Sequence, residues 1–120
     1  MTGSRQVTED EKIVTLARAT RARAHAPHTG IAEGAAVRDS EGRTYAAATV
    51  ENADPGLTTS ALRAAVAAAA SSGARAFEAA AVVTEGLVSD ADLAILREFG
   101  PGVPLLVATP DGTLRETHTS

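Results

Sequence analysis

Two short runs, Thr58-Thr59-Ser60 and Ser89-Asp90-Ala91-Asp92, set hydroxyl and carboxylate oxygens directly ahead of segments with helical character. Such oxygens accept hydrogen bonds from the amides of a first helical turn, and Asp92, three residues after Ser89, has the spacing of a capping box. The primary expectation is that these residues are helix caps. Helix starts also attract negative charge, so two of them brought face to face would form a small anion-friendly hollow. Thiolate chemistry is excluded, because the chain has no cysteine, and imidazole is limited to His25, His28 and His118. A metal site built from His25, His28 and Asp92 is the chemical alternative to a role for these histidines in polar loop packing.

The surrounding residues carry a resemblance. The run Val50-Glu51-Asn52-Ala53-Asp54-Pro55-Gly56-Leu57-Thr58-Thr59-Ser60-Ala61-Leu62-Arg63 resembles the small, zinc-dependent cytidine deaminases, whose motif reads V-E-N-A-S-x-G-L-T-x-C-A-E-R. Val88-Ser89-Asp90-Ala91-Asp92, followed by Ile95-Leu96-Arg97-Glu98-Phe99-Gly100, is similar to that family's P-C-G-A-C segment and the V-L-x-E-F-G helix after it. Ala24-His25-Ala26-Pro27-His28-Thr29-Gly30 through Ala36 is similar to its A-Y-A-P-Y-S-x-F-x-V-G-A-A loop. The likeness spans roughly residues 8 to 114. It ends near Leu114-Arg115-Glu116, where the family continues into an L-L-P-x-x-F tail that reaches a neighbouring subunit.

The resemblance implies roles for particular residues. Ser60, Ser89 and Asp92 fall on the three zinc-ligand positions and Leu62 on that of the catalytic glutamate. Ile31, Glu33, Thr49 and Glu51 fall on nucleoside-pocket positions, with Glu51 as the one matched ribose contact. Zinc is held well by thiolate and imidazole and acts by activating water, whereas two hydroxyls and a carboxylate make a weak, hard-oxygen set. No zinc or other cofactor is therefore expected. Leu62 places an aliphatic plug where a proton carrier would stand, and Ile31 removes an aromatic stacking surface worth about 1–3 kcal/mol by nucleic-acid analogy. The expected function is a zinc-free pseudoenzyme serving as an oligomeric scaffold or as a regulator that binds a protein or small molecule. The alternative is an enzyme with different chemistry in the former nucleoside pocket, using Glu33, Glu51 or Asp92 as base, which requires a carboxylate of raised pKa in a concave site. A weaker alternative is binding of RNA or a nucleotide.

The elements needed to position these residues follow from capping, periodicity and turn residues. Thr8 and Glu11 start a helix running to about Arg23, with Ile13, Leu16, Ala17 and Thr20 on one face. Strands are expected at roughly residues 32–38 and 43–50, joined by the turn Asp39-Ser40-Glu41-Gly42. A helix from Thr59 to Ser72 stops at Gly73. A strand over Phe77 to Thr84, a helix over Ser89 to Phe99, and strands over Val103 to Thr109 and Thr113 to Thr117 complete the chain. This alternation predicts a three-layer αβα sandwich with a mixed sheet of about five strands and helices on both faces.

At 120 residues, 44% hydrophobic and 22% charged, the chain is expected to form one domain over residues 1–120, with 1–7 flexible. Its apolar content is mostly alanine and only 2% is aromatic, so close packing must compensate for the small area each side chain buries. Such a thin core tends to rely on oligomer contacts, and the resemblance implies a homodimer or homotetramer. The net charge of −4 argues against a general polyanion surface. Arg18, Arg21 and Arg23, near the end of the first helix, read as a solvated basic face in preference to an RNA site. No apolar run is long enough to span a bilayer, and Met1-Thr2-Gly3-Ser4-Arg5-Gln6-Val7 lacks the apolar core of a signal peptide, so a cytoplasmic protein is expected.

Overall fold

The computed structural model describes residues 8–120; the flexibility expected for residues 1–7 lies outside the described residues. Helix α1 (Glu9–Thr20) begins where the Thr8 hydroxyl accepts the Glu11 N–H at 3.0 Å, with Glu9, Asp10 and Glu11 in the first turn. Carboxylates there complement the positive end of the helix. The α-helix ends at Thr20 and tightens into a 3-10 turn over Arg21–Arg23, in place of the continuous helix expected to Arg23.

Strands β1 (Gly34–Asp39) and β2 (Thr44–Ala48) form the expected antiparallel hairpin, with Gly34 opposite Ala48 and Arg38 opposite Thr44. Asp39 holds its turn, one carboxylate oxygen accepting the Glu41 and Arg43 N–H groups, each at 2.9 Å. Regular pairing stops at Ala48 because Val50 exchanges backbone hydrogen bonds with Thr59. That exchange keeps Thr59 extended. Helix α2 (Ala61–Ser71) consequently starts two residues later than the expected Thr59, with Ser60 as an extended cap at φ −69° and ψ 157°.

Strand β3 (Phe77–Val83), helix α3 (Asp90–Arg97), and strands β4 (Pro104–Ala108) and β5 (Leu114–Thr119) follow. One five-stranded sheet has the order β2-β1-β3-β4-β5. β3 and β4 are parallel, with α3 between them in the chain; the other neighbours are antiparallel. The mixed sheet is the one expected.

Strand alternation divides the core into two layers. Ala35 and Val37 of β1, with Ala80 and Val82 of β3 and Leu105 and Val107 of β4, pack with Leu62, Ala65, Val66 and Ala69 of α2 and Leu96 of α3. Phe77 and Phe99 close this layer with ring centroids 5.0 Å apart. On the other face Ala36, Ala79, Ala81, Val83 and Ala108 meet Ile13 and Ala17 of α1. The residues facing α1 are nearly all small, so the helix sits close to the sheet and gains by contact what it lacks in buried area. Among the described residues, no helix is long and apolar enough to cross a membrane.

Candidate active site

The site is built from the bottom of two helix starts. Ser60 caps α2, its Oγ accepting the Arg63 N–H at 3.2 Å, and Ser89 caps α3, its Oγ accepting the Asp92 N–H at 3.1 Å. The expected caps are therefore present. The fold adds a contact between them: the Ser60 hydroxyl donates to Asp92 Oδ1 at 2.8 Å. Two helix N-termini thus meet across one hydroxyl and one carboxylate, and their dipoles favour negative charge at this point.

Glu33 reaches the same place from the sheet. Antiparallel pairing of β1 with β3 sets Gly34 opposite Val83, so the residue before Gly34 lies beside the residue after Val83. Glu33 Oε2 accepts the Thr84 hydroxyl at 2.9 Å, while the Thr49 hydroxyl lies 3.5 Å from Oε1. Thr84 has no exposed surface and Thr49 only 5%. Burial raises the Glu33 pKa above its ordinary value of 4.5; the Thr84 bond opposes the shift, the Asp92 charge adds to it, and the Thr49 hydroxyl and the Ala61 amide at the start of α2 oppose it. Of the predicted positions, Glu33, Thr49, Ser60 and Asp92 are brought together. Ile31 borders them, since a Cβ on Gly86 would lie 3.4 Å from Ile31 Cγ2 and 3.5 Å from Thr84 Oγ1.

Glu51 faces a different hollow of about 260 Å³, bordered by His28, Thr29, Asn52, Ala53, Pro55 and Thr58. Its carboxylate accepts the His28 N–H at 2.8 Å, the Thr29 N–H at 3.2 Å and the Thr29 hydroxyl. The Thr29 hydroxyl is the main cause of a pKa below the ordinary 4.5, with burial opposing it. Leu62 is 1% exposed and belongs to the core against α3 and β4. His25 and His28 hold this loop through their backbones, and among the described residues no group of three or more His, Asp or Glu side chains is arranged to hold a metal ion. Arg18 donates to the Pro110 carbonyl at 2.9 Å, and Arg21 to the Ala32 carbonyl at 2.9 Å. A larger trough of about 510 Å³ lies elsewhere, between α1 and the β4–β5 turn.

Sequence reasoning missed Thr84 and Thr29. The available signal at Thr84 was a hydroxyl ending an otherwise apolar strand run; at Thr29 it was a hydroxyl in the Gly30 loop. Neither shows its carboxylate partner, 51 and 22 residues away respectively.

The model for cytidine deaminase-like proteins matches residues 6–112. A curated cytidine deaminase of Sporosarcina psychrophila is 33% identical over 112 residues, which cover 89% of this chain and 82% of that protein. The crystal structure of a cytidine deaminase from Burkholderia pseudomallei superposes with a TM-score of 0.83 at 30% identity, covering 90% of each chain. That of the Mycobacterium leprae enzyme gives 0.78 at 26% identity over 95% of this chain and 94% of the other. These findings overturn the expected pseudoenzyme scaffold or regulator, since the relatives and structural neighbours are named as deaminases. That expectation rested on Leu62 and the three ligand positions, whereas Glu33, already a candidate base from the sequence, is held by Thr84 and Thr49 near the start of α2. The chain belongs to the cytidine deaminase-like family.

Proposed function

We propose that this chain is a hydrolytic deaminase of a cytidine-like nucleoside, acting where the starts of α2 and α3 meet. The Ser60–Asp92 hydrogen bond carries the reading: it sets an oriented hydroxyl and a carboxylate at two converging helix N-termini. A water donating to Asp92 is held there for attack on an amino-bearing ring carbon, and the helix starts favour negative charge developing on its oxygen. Glu51, with three of about four acceptor positions filled by the loop, keeps one for a sugar hydroxyl.

The proposal includes the loss of the family's zinc site and the absence of a cofactor. Zinc is bound firmly by thiolate and imidazole, whereas Ser60, Ser89 and Asp92 supply two hydroxyls and a carboxylate that are already committed to caps and to one another. These residues do not fit such an ion. A cytoplasmic homodimer or homotetramer is part of the same reading, supported by the exposed Val50, Leu57 and Leu87. The engagement of Arg18 and Arg21 with backbone carbonyls supports the absence of a nucleic-acid partner.

The test is release of ammonia with formation of uridine or deoxyuridine, followed on purified protein whose metal content is measured in the same sample. Turnover at far less than one zinc per chain is the expected result. Absence of turnover with both nucleosides sinks the reading, and stoichiometric zinc sinks its metal-free part.

A further inference from the structure

We infer that Glu33 is the proton-carrying catalytic residue of this site, a role that rests on the deaminase reading above. The requirement comes from the reaction itself. Replacing a ring amino group by oxygen consumes one water and releases one ammonia, so both protons of the water must leave its oxygen. The water's O–H breaks as its oxygen bonds to the amino-bearing carbon, and that proton passes through a carboxylate to the adjacent ring nitrogen, which receives the displaced electron pair. The second proton passes from the new hydroxyl through the same carboxyl to the amine. The carbon–nitrogen bond then breaks, ammonia departs, and the carbonyl forms. A single carboxyl that accepts and donates in turn completes the cycle unchanged.

Glu33 is placed for that work. Its carboxyl is held by the Thr84 hydroxyl at 2.9 Å, and the Thr49 hydroxyl bonds its backbone N–H at 3.2 Å, which fixes where the side chain departs from the sheet. The Thr49 N–H also donates to the Glu33 carbonyl at 3.0 Å, and the next residue, Val50, exchanges backbone hydrogen bonds with Thr59, the residue before Ser60, so this chain of contacts sets Glu33 beside the start of α2 that carries the Ser60–Asp92 pair. Asp92 is less suited to the task because its Oδ1 is engaged by Ser60 while its backbone is tied to the α3 cap. Glu51 is engaged by the His28 and Thr29 N–H groups and the Thr29 hydroxyl, and is left to the sugar. Leu62 has no proton to exchange.

The experiment compares the unmodified chain with Glu33→Gln, which keeps the shape and one acceptor oxygen, and Glu33→Asp, which keeps the carboxyl with a shorter reach. Glu33→Gln is expected to lower kcat for cytidine by about 10²–10⁴-fold, with a much smaller change in KM and an unchanged circular dichroism spectrum. Glu33→Asp is expected to retain measurable turnover and the acid limb of the pH profile that Glu33→Gln loses. Added formate is expected to restore part of the activity of Glu33→Ala, which a merely structural role would not allow. Turnover by Glu33→Gln close to that of the unmodified chain overturns the inference and leaves the deaminase reading standing. A failure of the unmodified chain to deaminate overturns both.

Discussion

A Cβ built on Gly34 would lie 2.0 Å from the Ala17 carbonyl oxygen and 2.6 Å from the Arg21 amide nitrogen. The obstruction is backbone, so no rotamer change can relieve it. The contact explains how α1 sits so near β1, and why the residue next to Glu33 is glycine. Gly34→Ala is therefore expected to destabilise the chain by about 3 kcal/mol, at the upper end of the usual range for overpacking, with urea unfolding as the measurement. A variant as stable as the parent would show that α1 is not held at this distance.

The two caps separate stability from chemistry. Ser60→Ala and Ser89→Ala each remove an N-cap hydroxyl and should each cost about 1 kcal/mol of unfolding free energy. Only Ser60→Ala also removes the donor to Asp92. A hydrogen bond to a charged group is worth about 1.5–3 kcal/mol, so turnover by Ser60→Ala is expected to fall roughly ten- to hundredfold. Ser89→Ala should stay near the parent rate. Equal rates for the two variants would remove the Ser60–Asp92 pair from the proposed chemistry.

Glu33 gives a signed pH dependence of stability. Its folded pKa lies above the ordinary 4.5, so the folded chain holds this proton more tightly than the unfolded one. The associated stabilisation is complete below 4.5 and is lost as pH rises through the folded value. Relative to Glu33→Gln, the parent should become progressively less stable across that rise, in denaturant midpoints taken over a pH series. A constant difference between the two would contradict the placement of this carboxyl.

Asp111 behaves in the opposite sense. In the β4–β5 turn its carboxylate accepts the Thr109 hydroxyl and, at 2.8 Å, the Thr113 N–H. Led by the Thr109 bond, these lower its pKa from 3.8 to about 2. The stabilisation is present above 3.8 and is lost as pH falls toward about 2. Asp111→Ala should remove this part of the acid sensitivity, as read from acid unfolding curves that lie closer to flat over that interval.

Metal removal bears on the oxygen donor set. Prolonged dialysis against a strong chelator is expected to leave cytidine turnover unchanged, and added zinc to leave the melting temperature unchanged, because ligand binding to the folded state alone would raise it. Loss of activity on chelation with recovery on zinc would place the ion back in the mechanism.

Several elements could be read locally. Thr8, Ser60 and Ser89 mark helix starts because each cap bonds an amide only three residues ahead. The apolar run from Phe77 likewise marks a buried strand. End positions differed where a distant partner intervened, as when Thr59 paired with Val50 and delayed α2. Site composition was legible in part: Glu33, Thr49, Ser60 and Asp92 could each be singled out from the sequence, but as separate positions.

What the sequence by itself determined was the order and type of the elements, the caps, and a supply of oxygen donors with no thiolate, since these depend on residue identity and on contacts within a few positions. Tertiary structure alone decided which oxygens meet. Antiparallel register carries Glu33 to Thr84, and the approach of two helix starts joins Ser60 to Asp92. Those pairings span 51 and 32 residues, and they arise only when the sheet and both core layers close together, because no local periodicity encodes a contact between separate elements.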